Sequence, residues 1–378
     1  MTTADALDPR GRLDPAAVEV LLDRAGRDAD ESGLPSCQMA LARNGRLLLQ
    51  AAFGDATTES RYPVFSITKA LTAGAAWLAI GDGKVDPTTR VVDLVPEFGT
   101  NGKAAVTLEH LLTHTAGFPR APMRPLEGAD RAARVARFAT WRLDWQPGTQ
   151  TEYHPSSADW VVAEVVERAT GSSLGEVIAT RICGPLGLSG LQLGAVDGAL
   201  DVAVIGSMSE ETRVALDRVG AAATLAETGP EHLLRFNDPQ VRAAGVPGAG
   251  AIGTAADVAR YFQALLRDPV GIWEPEVLQD ATGFIRNRMV DPWVRVPANR
   301  TLGLRVAGDD GNAVLRGFGH GVGPRSFGAA GVGGQVAWAD PDSGLSFCYL
   351  TNGLDADPVR SFRRQASLSE LAARCVAG

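Results

Sequence analysis

The sequence predicts an α/β chain of the α+β type, in which an antiparallel sheet flanked by helices is formed from both chain ends and an all-helical domain is inserted between them. Two observations predict it. Runs with strand character occur at residues 37–54 and return after residue 301, and helical periodicity with Gly and Pro punctuation fills the chain between them. We therefore assign residues 1–81 and 293–378 to the sheet domain and residues 82–292 to the inserted, mainly helical domain.

The first elements are a helix and a hairpin. Residues 14–30 carry apolar side chains at helical spacing, with Asp14 as N-cap and Pro15 at the first helical position. The runs CQMALAR and RLLLQAAFG follow, joined by Asn44-Gly45, a strong hairpin signal. The chain therefore begins with a helix and two antiparallel strands.

Strand character returns in the last part of the chain. TLGLRVAG (301–308) predicts one strand, and QVAWADPDSGLSFCYLTNG (335–353) predicts two more around a turn at residues 340–344. Residues 359–377 predict a closing helix. These elements complete the predicted sheet domain.

Composition limits the possible partners and location. The chain has 378 residues, 45% of them hydrophobic, and a formal net charge of −8 without a basic stripe, which argues against a nucleic-acid partner. The N-terminal residues show no secretion signal, and no apolar run reaches the roughly 20 residues of a membrane helix. We expect a cytoplasmic protein without a membrane partner. Its four scattered cysteines lack metal-ligand spacing and predict buried thiols.

The stretch VFSITKAL places Ser66 three residues before Lys69 at the start of an apolar run. If a helix begins there, both side chains lie on one face. A serine hydroxyl needs a base beside it, and lysine acts as that base if burial and a helix N-terminus lower its pKa. Only three of the 36 Lys and Arg residues are lysines, so a chance match is disfavoured.

Further segments resemble the serine β-lactamase and penicillin-binding-protein superfamily, above all class C β-lactamases and the family VIII carboxylesterases. The resemblance runs from about Pro35 to Gly353, with residues 194–235 unplaced. It implies a sheet domain beside a helical domain with the active site between them. It also implies that Ser66 is the nucleophile, that Lys69 is its partner, and that a phenolate of Tyr153 takes the serine proton. The segments that carry it are Ser66-Ile67-Thr68-Lys69, TLEHLLTHTAGF, WQPGTQTEYHPSSADWVVAEVVERATG, VPGAGAIGTAADVARYFQALL and FGAAGVGGQVAWADPDSGLSFCYLTNG.

Two motifs depart from the family pattern. The usual Tyr-x-Asn is Tyr153-His154-Pro155 here, so that His154 or Ser156 would take over part of the amide's contact with the substrate. The third motif, which usually begins with Lys or His, aligns with Ala329-Ala330-Gly331. Without that cation, efficient β-lactamase activity is not expected. The family geometry still implies an oxyanion hole from the N–H groups of Ser66 and Val332.

Several other patterns favour structural interpretations. Ser173 with Glu176 matches a capping box better than a nucleophile elbow, because a helix precedes it. His110 and His114 have helical spacing but no third ligand for a metal. His320, in GFGHG, is a candidate to replace the missing cation, although exposure of its Gly-flanked loop is the simpler interpretation.

The sequence thus predicts a serine hydrolase that forms an acyl-enzyme with a small-molecule ester. One alternative is an acyltransferase that passes the acyl group to an amine or alcohol acceptor in secondary metabolism. The alternative from another class is an inactive β-lactamase-like binding protein. No metal or organic cofactor is expected, because Lys69 and Tyr153 would manage the proton.

Overall fold

The structure, a computed structural model, describes residues 12–31, 33–194, 197–218 and 229–376. The N-terminal residues without a predicted secretion signal (1–11) lie outside the described residues, as does part of the unplaced segment (219–228). Within the described ranges, every helix is too short or too polar to span a lipid bilayer.

Strands occur at both ends of the chain, with short ones between. In chain order they are β1 Ser36–Arg43, β2 Arg46–Gly54, β3 Tyr62–Pro63, β4 Gln192–Leu193, β5 Ala203–Ile205, β6 Ala251–Gly253, β7 Arg305–Val306, β8 Phe327–Ala330, β9 Val336–Asp340, β10 Leu345–Thr351 and β11 Gly353–Asp355.

Helices fill most of the chain between β3 and β7. In chain order the α-helices are α1 Pro15–Glu31, α2 Thr68–Gly81, α3 Val91–Leu94, α4 Leu108–Leu112, α5 Pro125–Ala129, α6 Arg131–Thr140, α7 Ser157–Thr170, α8 Leu174–Val177, α9 Glu210–Arg218, α10 Pro230–Leu233, α11 Pro239–Ala243, α12 Ala255–Arg267, α13 Pro275–Gly283 and α14 Pro358–Arg374. Short 3₁₀ turns and one π-helical segment, Ile178–Cys183, connect some of them.

The main sheet has the order β2-β1-β10-β9-β8-β7, and every neighbouring pair is antiparallel. The predicted hairpin is confirmed: Arg43 pairs with Arg46, and Asn44 (φ 52°) and Gly45 (φ 81°) both have the positive φ of a type I′ turn. The α+β fold class with a sheet from both chain ends is likewise confirmed.

Both faces of the sheet are covered, which explains why β1 is buried along almost its whole length. Cys37, Met39 and Leu41 face a core closed by the terminal helices α1 and α14. Ala40 faces the larger core, which continues through α12 and α2 into the helical region. Alternate residues of one strand therefore belong to two separate cores.

The terminal helices agree with prediction, whereas the strand predicted at 301–308 is reduced to β7. Residues 300 and 305 form an isolated bridge instead, around a turn that contains Gly303. The domain boundaries at 81 and 293 remain a prediction. Helix α12 lies inside the predicted insertion but packs on β1, β9 and β10.

Helix α2 brings the two regions together. From Tyr62 to Ala79, Ser66 is the one residue whose side chain is not buried. Helix α2 packs against α7 on the helical side, and β8 approaches the 3₁₀ turn at residues 65–67 from the sheet side. Ser66 therefore lies where the sheet, α2 and α7 meet.

Candidate active site

Ser66 lies on a sharp turn between β3 and α2. The preceding Phe65 has φ 45°, a left-handed conformation that strains a bulky residue by about 1–3 kcal/mol. The Phe65 ring is fully buried and packs edge-on against Phe236, with 5.4 Å between ring centroids, which holds the turn in place. The Ser66 hydroxyl is thereby presented to the solvent-accessible side of a segment that is otherwise closed.

Tyr153 reaches Ser66 from the loop before α7. Its hydroxyl donates a hydrogen bond to Ser66 Oγ over 2.9 Å. The phenol ring packs against the buried imidazole of His114, with 4.8 Å between ring centroids. The structure thus brings together two of the sequence-predicted residues at hydrogen-bond distance.

Lys69 lies in the first turn of α2, beside the ring of Tyr153. Its ammonium donates hydrogen bonds to Pro155 O and Gly248 O, each over 2.8 Å, and forms an ion pair with Asp159 over 3.3 Å. The same ammonium is 5.1 Å from the centroid of the Tyr153 ring. A Cβ on Gly248 would lie 2.6 Å from Asp159 Oδ2 and 2.9 Å from Lys69 Nζ, so that a larger residue here would displace this ion pair.

The charges around Lys69 reverse the protonation expected from the Ser-x-x-Lys pattern alone. Burial lowers the pKa of Lys69, but the carboxylate of Asp159 and the phenol of Tyr153 outweigh burial and bring this pKa above its ordinary value of 10.5. Burial raises the pKa of Tyr153, yet the Lys69 ammonium and the Ser66 hydrogen bond bring it below 10.0. Burial also raises the pKa of Asp159, against the opposing effect of Lys69. Tyr153, rather than Lys69, is therefore the group poised to accept a proton.

The third motif lies at the end of β8, beside the Ser66 turn. A Cβ on Gly331 would lie 2.9 Å from Val64 O and 2.6 Å from Gln335 Oε1, so glycine allows the strand to approach this turn. The next N–H, that of Val332, makes no hydrogen bond within the described part of the chain. Val332 is 44% exposed and lies on the wall of the cleft. This donor is available to an oxyanion near Ser66.

Ser66 and Tyr153 open into a cavity of about 270 Å³, which we call the cleft. Its walls are largely apolar, and Pro155, Ser156, Ala330 and Gly331 complete its rim beside the two hydroxyl groups. The apolar side chains come from the helical region and from residues 229–249: Met123, Trp160, Leu233, Phe236 and Val246.

Three other predicted residues lie elsewhere. His154 is completely buried, accepts a hydrogen bond from Phe118 N over 3.2 Å and lies 2.7 Å from Glu152 O, so it positions the Tyr153 loop rather than lining the cleft. Ala329 is half-buried in β8 and His320 is exposed in a loop, and neither lines the cleft.

The patterns read as structural have local roles. The Ser173–Glu176 capping box is confirmed. The Nδ1 atom of His110 accepts from Thr107 N, and that of His114 accepts from His154 N. Among the described residues, no cluster of three or more His, Cys, Asp or Glu side chains has the arrangement of a metal site.

Four residues at this site were missed by sequence reasoning. Asp159 looked like an ordinary acidic residue in the first turn of a helix, and Gly248 like a loop glycine. Arg300 and Arg305 carried no signal, because arginine is the common cation of this chain. Their guanidinium carbons lie 5.5 and 5.9 Å from the centroid of the Tyr153 ring.

Comparison with known proteins adds a family to this geometry. A family model described as Beta-lactamase matches residues 21–372. The chain is 27% identical over 326 residues to the Esterase/beta-lactamase LipL of Mycobacterium tuberculosis, covering 79% of this chain and 70% of LipL. It is 29% identical over 314 residues to Esterase EstB of Burkholderia gladioli, covering 74% of this chain and 78% of EstB. Among solved structures, a family VIII carboxylesterase superposes with a TM-score of 0.77 at 25% identity, covering 97% of this chain and 99% of that chain.

Proposed function

The chain belongs to the beta-lactamase family of enzymes, and we propose that it is a serine hydrolase that cleaves carboxylic esters through an acyl-enzyme on Ser66. The observation that carries this proposal is the 2.9 Å hydrogen bond between Tyr153 and Ser66, with the buried Lys69 ammonium 5.1 Å from the centroid of the Tyr153 ring. Acyl transfer requires a nucleophile, a base beside it, and a third group that sets the protonation of the base. Ser66, Tyr153 and Lys69 would fill these three roles.

In the first half of the proposed reaction, the Tyr153 phenolate takes the proton of Ser66 as Oγ attacks the ester carbonyl. The Lys69 ammonium stabilises the phenolate before the attack. The N–H groups of Ser66 and Val332 hold the oxyanion of the tetrahedral intermediate. Tyr153 then gives its proton to the leaving alcohol, and the acyl group stays on Ser66.

In the second half, water takes the place of the alcohol. The water oxygen attacks the acyl-enzyme while Tyr153 accepts a proton from that water. Tyr153 then returns the proton to Ser66 Oγ as the carboxylic acid leaves. The same phenol therefore acts as base and acid in both halves, and no step needs a metal.

Three features favour an ester over a β-lactam as the substrate. The third motif offers Ala329 where the family pattern has a cation, and the cleft walls suit an apolar acyl group. The relative EstB is named an esterase, whereas LipL is named an esterase/beta-lactamase, so that only EstB supports an ester alone. We therefore propose a small-molecule ester as the partner.

The experiment that tests this function is intact-protein mass spectrometry after brief exposure to p-nitrophenyl butyrate. We expect one butyryl adduct and p-nitrophenol release with the wild type, and neither with Ser66→Ala. Ser172→Ala is a matched control, because Ser172 is exposed on a loop away from the cleft, and it should acylate like the wild type.

The same experiment separates the alternatives. If an added amine or alcohol speeds the loss of the adduct and yields the acylated acceptor, the protein is an acyltransferase. If no adduct and no p-nitrophenol form with esters of several chain lengths, the esterase proposal is wrong and a binding role takes its place.

A further inference from the structure

A second cavity, of about 190 Å³, lies beside Tyr153, and we call it the arginine chamber because Arg300, Arg305 and Arg316 line it. Tyr153 and Arg305 line both the chamber and the cleft, so the two cavities are neighbours. Ser66 lines the cleft but not the chamber. The chamber therefore adjoins the cleft at Tyr153 and Arg305.

Arg300 and Arg305 are held together by the backbone. They form an antiparallel bridge around a turn in which Gly303 has φ 107°. A Cβ on Gly303 would lie 2.4 Å from the Cβ of Ala73, so the turn is pressed against α2. Like charges at opposed positions of an antiparallel pair destabilise it. The fold nevertheless places both cations beside one tyrosine.

Neither cation is neutralised within the described part of the chain. Arg300 is only 4% exposed, yet its guanidinium has no hydrogen bond or ion pair there, and its contact is with the Tyr153 ring. Arg305 makes one long bond of 3.3 Å, to Arg316 O. Burial, together with the Arg305 charge, lowers the pKa of Arg300 to about 10.

Other residues of the chamber have their partners. Arg316 is paired with Asp310 and also donates to Ala307 O and Pro297 O. Asp291 is the nearby acid, and its Oδ1 accepts from Trp293 N over 2.9 Å without an ion pair to either free arginine. A buried cation without a counter-ion is unfavourable by several kcal/mol. The arrangement is that of a site whose anion comes from a ligand.

We propose that Arg300 and Arg305 bind a carboxylate carried on the alcohol portion of the ester substrate. This inference rests on the proposed function. The leaving oxygen must lie beside Tyr153 to receive its proton, so the part of the substrate that extends past Tyr153 into the chamber is the alcohol. Two guanidinium groups match a carboxylate better than a neutral group, through bidentate hydrogen bonds.

A simpler role for the arginines is electrostatic support of the Tyr153 phenolate. That role predicts equal effects on neutral and anionic esters, since Tyr153 acts on both. A carboxylate site predicts effects confined to the anionic ester. The two roles therefore separate in a comparison of matched substrates.

The test uses 4-(butyryloxy)benzoate and its methyl ester, which differ only in whether the carboxylate is free, and the 3-isomers of both. We expect the wild type to have the higher kcat/KM on an anionic isomer. In Arg300→Gln and in Arg305→Gln, the anionic-to-neutral ratio of kcat/KM should fall at least about tenfold, the loss of one charge-assisted hydrogen bond. Arg288→Gln removes the same charge from an exposed residue outside the chamber and should leave the ratio unchanged.

Two results would overturn the carboxylate site. One is an equal loss of kcat/KM on the anionic and the neutral ester in the arginine variants. The other is a wild type that prefers neither anionic isomer over its methyl ester. If no ester is hydrolysed at all, the proposed function fails, and calorimetry still tests the chamber. The product 4-hydroxybenzoate should bind the wild type at least about tenfold more tightly than it binds Arg305→Gln. This variant is the safer one for folding, because Arg305 is only half-buried. Equal binding, or no binding, counts against the chamber.

Discussion

Tyr153 and Lys69 are alternatives for the same proton, and their pKa values lie on opposite sides of pH 10–10.5. Burial alone would raise the pKa of Tyr153 and lower that of Lys69, so the ionic contacts decide the outcome. The decisive residue is Asp159, whose carboxylate keeps Lys69 protonated. In the proposed mechanism the lysine then serves as a fixed cation rather than as a base.

This assignment predicts the pH dependence of the rate. The base must be deprotonated, so kcat/KM for p-nitrophenyl butyrate should rise with pH and level off. If the base is Tyr153, whose pKa is lowered, the midpoint of the rise lies below pH 10. If it is Lys69, whose pKa is raised, the midpoint lies above 10.5. Measured initial rates from pH 6 upward, within the range where the protein stays folded, distinguish the two.

Tyr153→Phe is the matched variant, because it removes only the hydroxyl that contacts Ser66. General-base catalysis contributes about 10²–10⁴-fold, so a loss of that order is expected, together with loss of the rising limb. A rising limb with the wild-type midpoint in Tyr153→Phe would show that another group takes the proton.

At the scale of single residues, motif patterns identified the proposed reacting groups but not the charged residues that surround them. Ser66, Lys69 and Tyr153 lie in recognisable spacings, and the structure places them together. Asp159 and Arg300 act through burial and through contacts with residues far away in sequence. The sequence does not show whether an Asp or an Arg will be buried, or which charged group it will contact in the fold.

At the scale of elements, the approach of β8 to the Ser66 turn places Val332, whose N–H is the proposed second donor of the oxyanion hole, on the wall of the cleft. Gly331→Ala should push the strand away, because its Cβ meets Val64 O, a backbone atom that cannot move without the turn. Since loss of one oxyanion donor costs about 10²–10³-fold in kcat, we expect a decrease of roughly that size. Steady-state kinetics with p-nitrophenyl butyrate measures it.

Gly283→Ala is the control for this prediction, since an added Cβ there meets no atom within 4 Å. It should retain wild-type kcat. Circular dichroism must show that Gly331→Ala is folded. A folded Gly331→Ala with unchanged kcat would exclude the Val332 N–H from the oxyanion hole.

Elements with strong local signals were predicted correctly, and those set by tertiary contacts were not. Asn44-Gly45 fixed the β1–β2 hairpin through its preference for positive φ. TLGLRVAG has strand composition, but only Arg305 and Val306 pair with β8, because the turn at Gly303 packs on α2. Composition cannot report a packing partner that is more than 200 residues away.

At the scale of the whole molecule, the site depends on a loop whose core is held by neutral histidines. His154 accepts from Phe118 N and lies beside Glu152 O, which requires a neutral ring that donates from Nδ1. Burial, the largest cause, lowers the pKa of His154 from 6.5 to about 3 and that of His114 well below 6.5. Protonation of these rings therefore competes with folding.

The pKa of His154 makes stability decrease in acid. As pH falls through 6.5 the unfolded chain binds a proton at His154, whereas the folded chain does not until about pH 3. The stability contributed by neutral His154 is complete above pH 6.5 and is lost toward pH 3, by roughly 1.4 kcal/mol per pH unit in the upper limit. Urea unfolding at pH 7, 6, 5 and 4 measures this slope.

His154→Gln should be less stable at pH 7, by about 1–3 kcal/mol for the lost donor. Its stability should also fall less steeply below pH 6.5, whereas His320→Gln, on an exposed loop, should follow the wild type. Parallel curves for wild type and His154→Gln would mean that the buried ring does not set the acid limit of the fold.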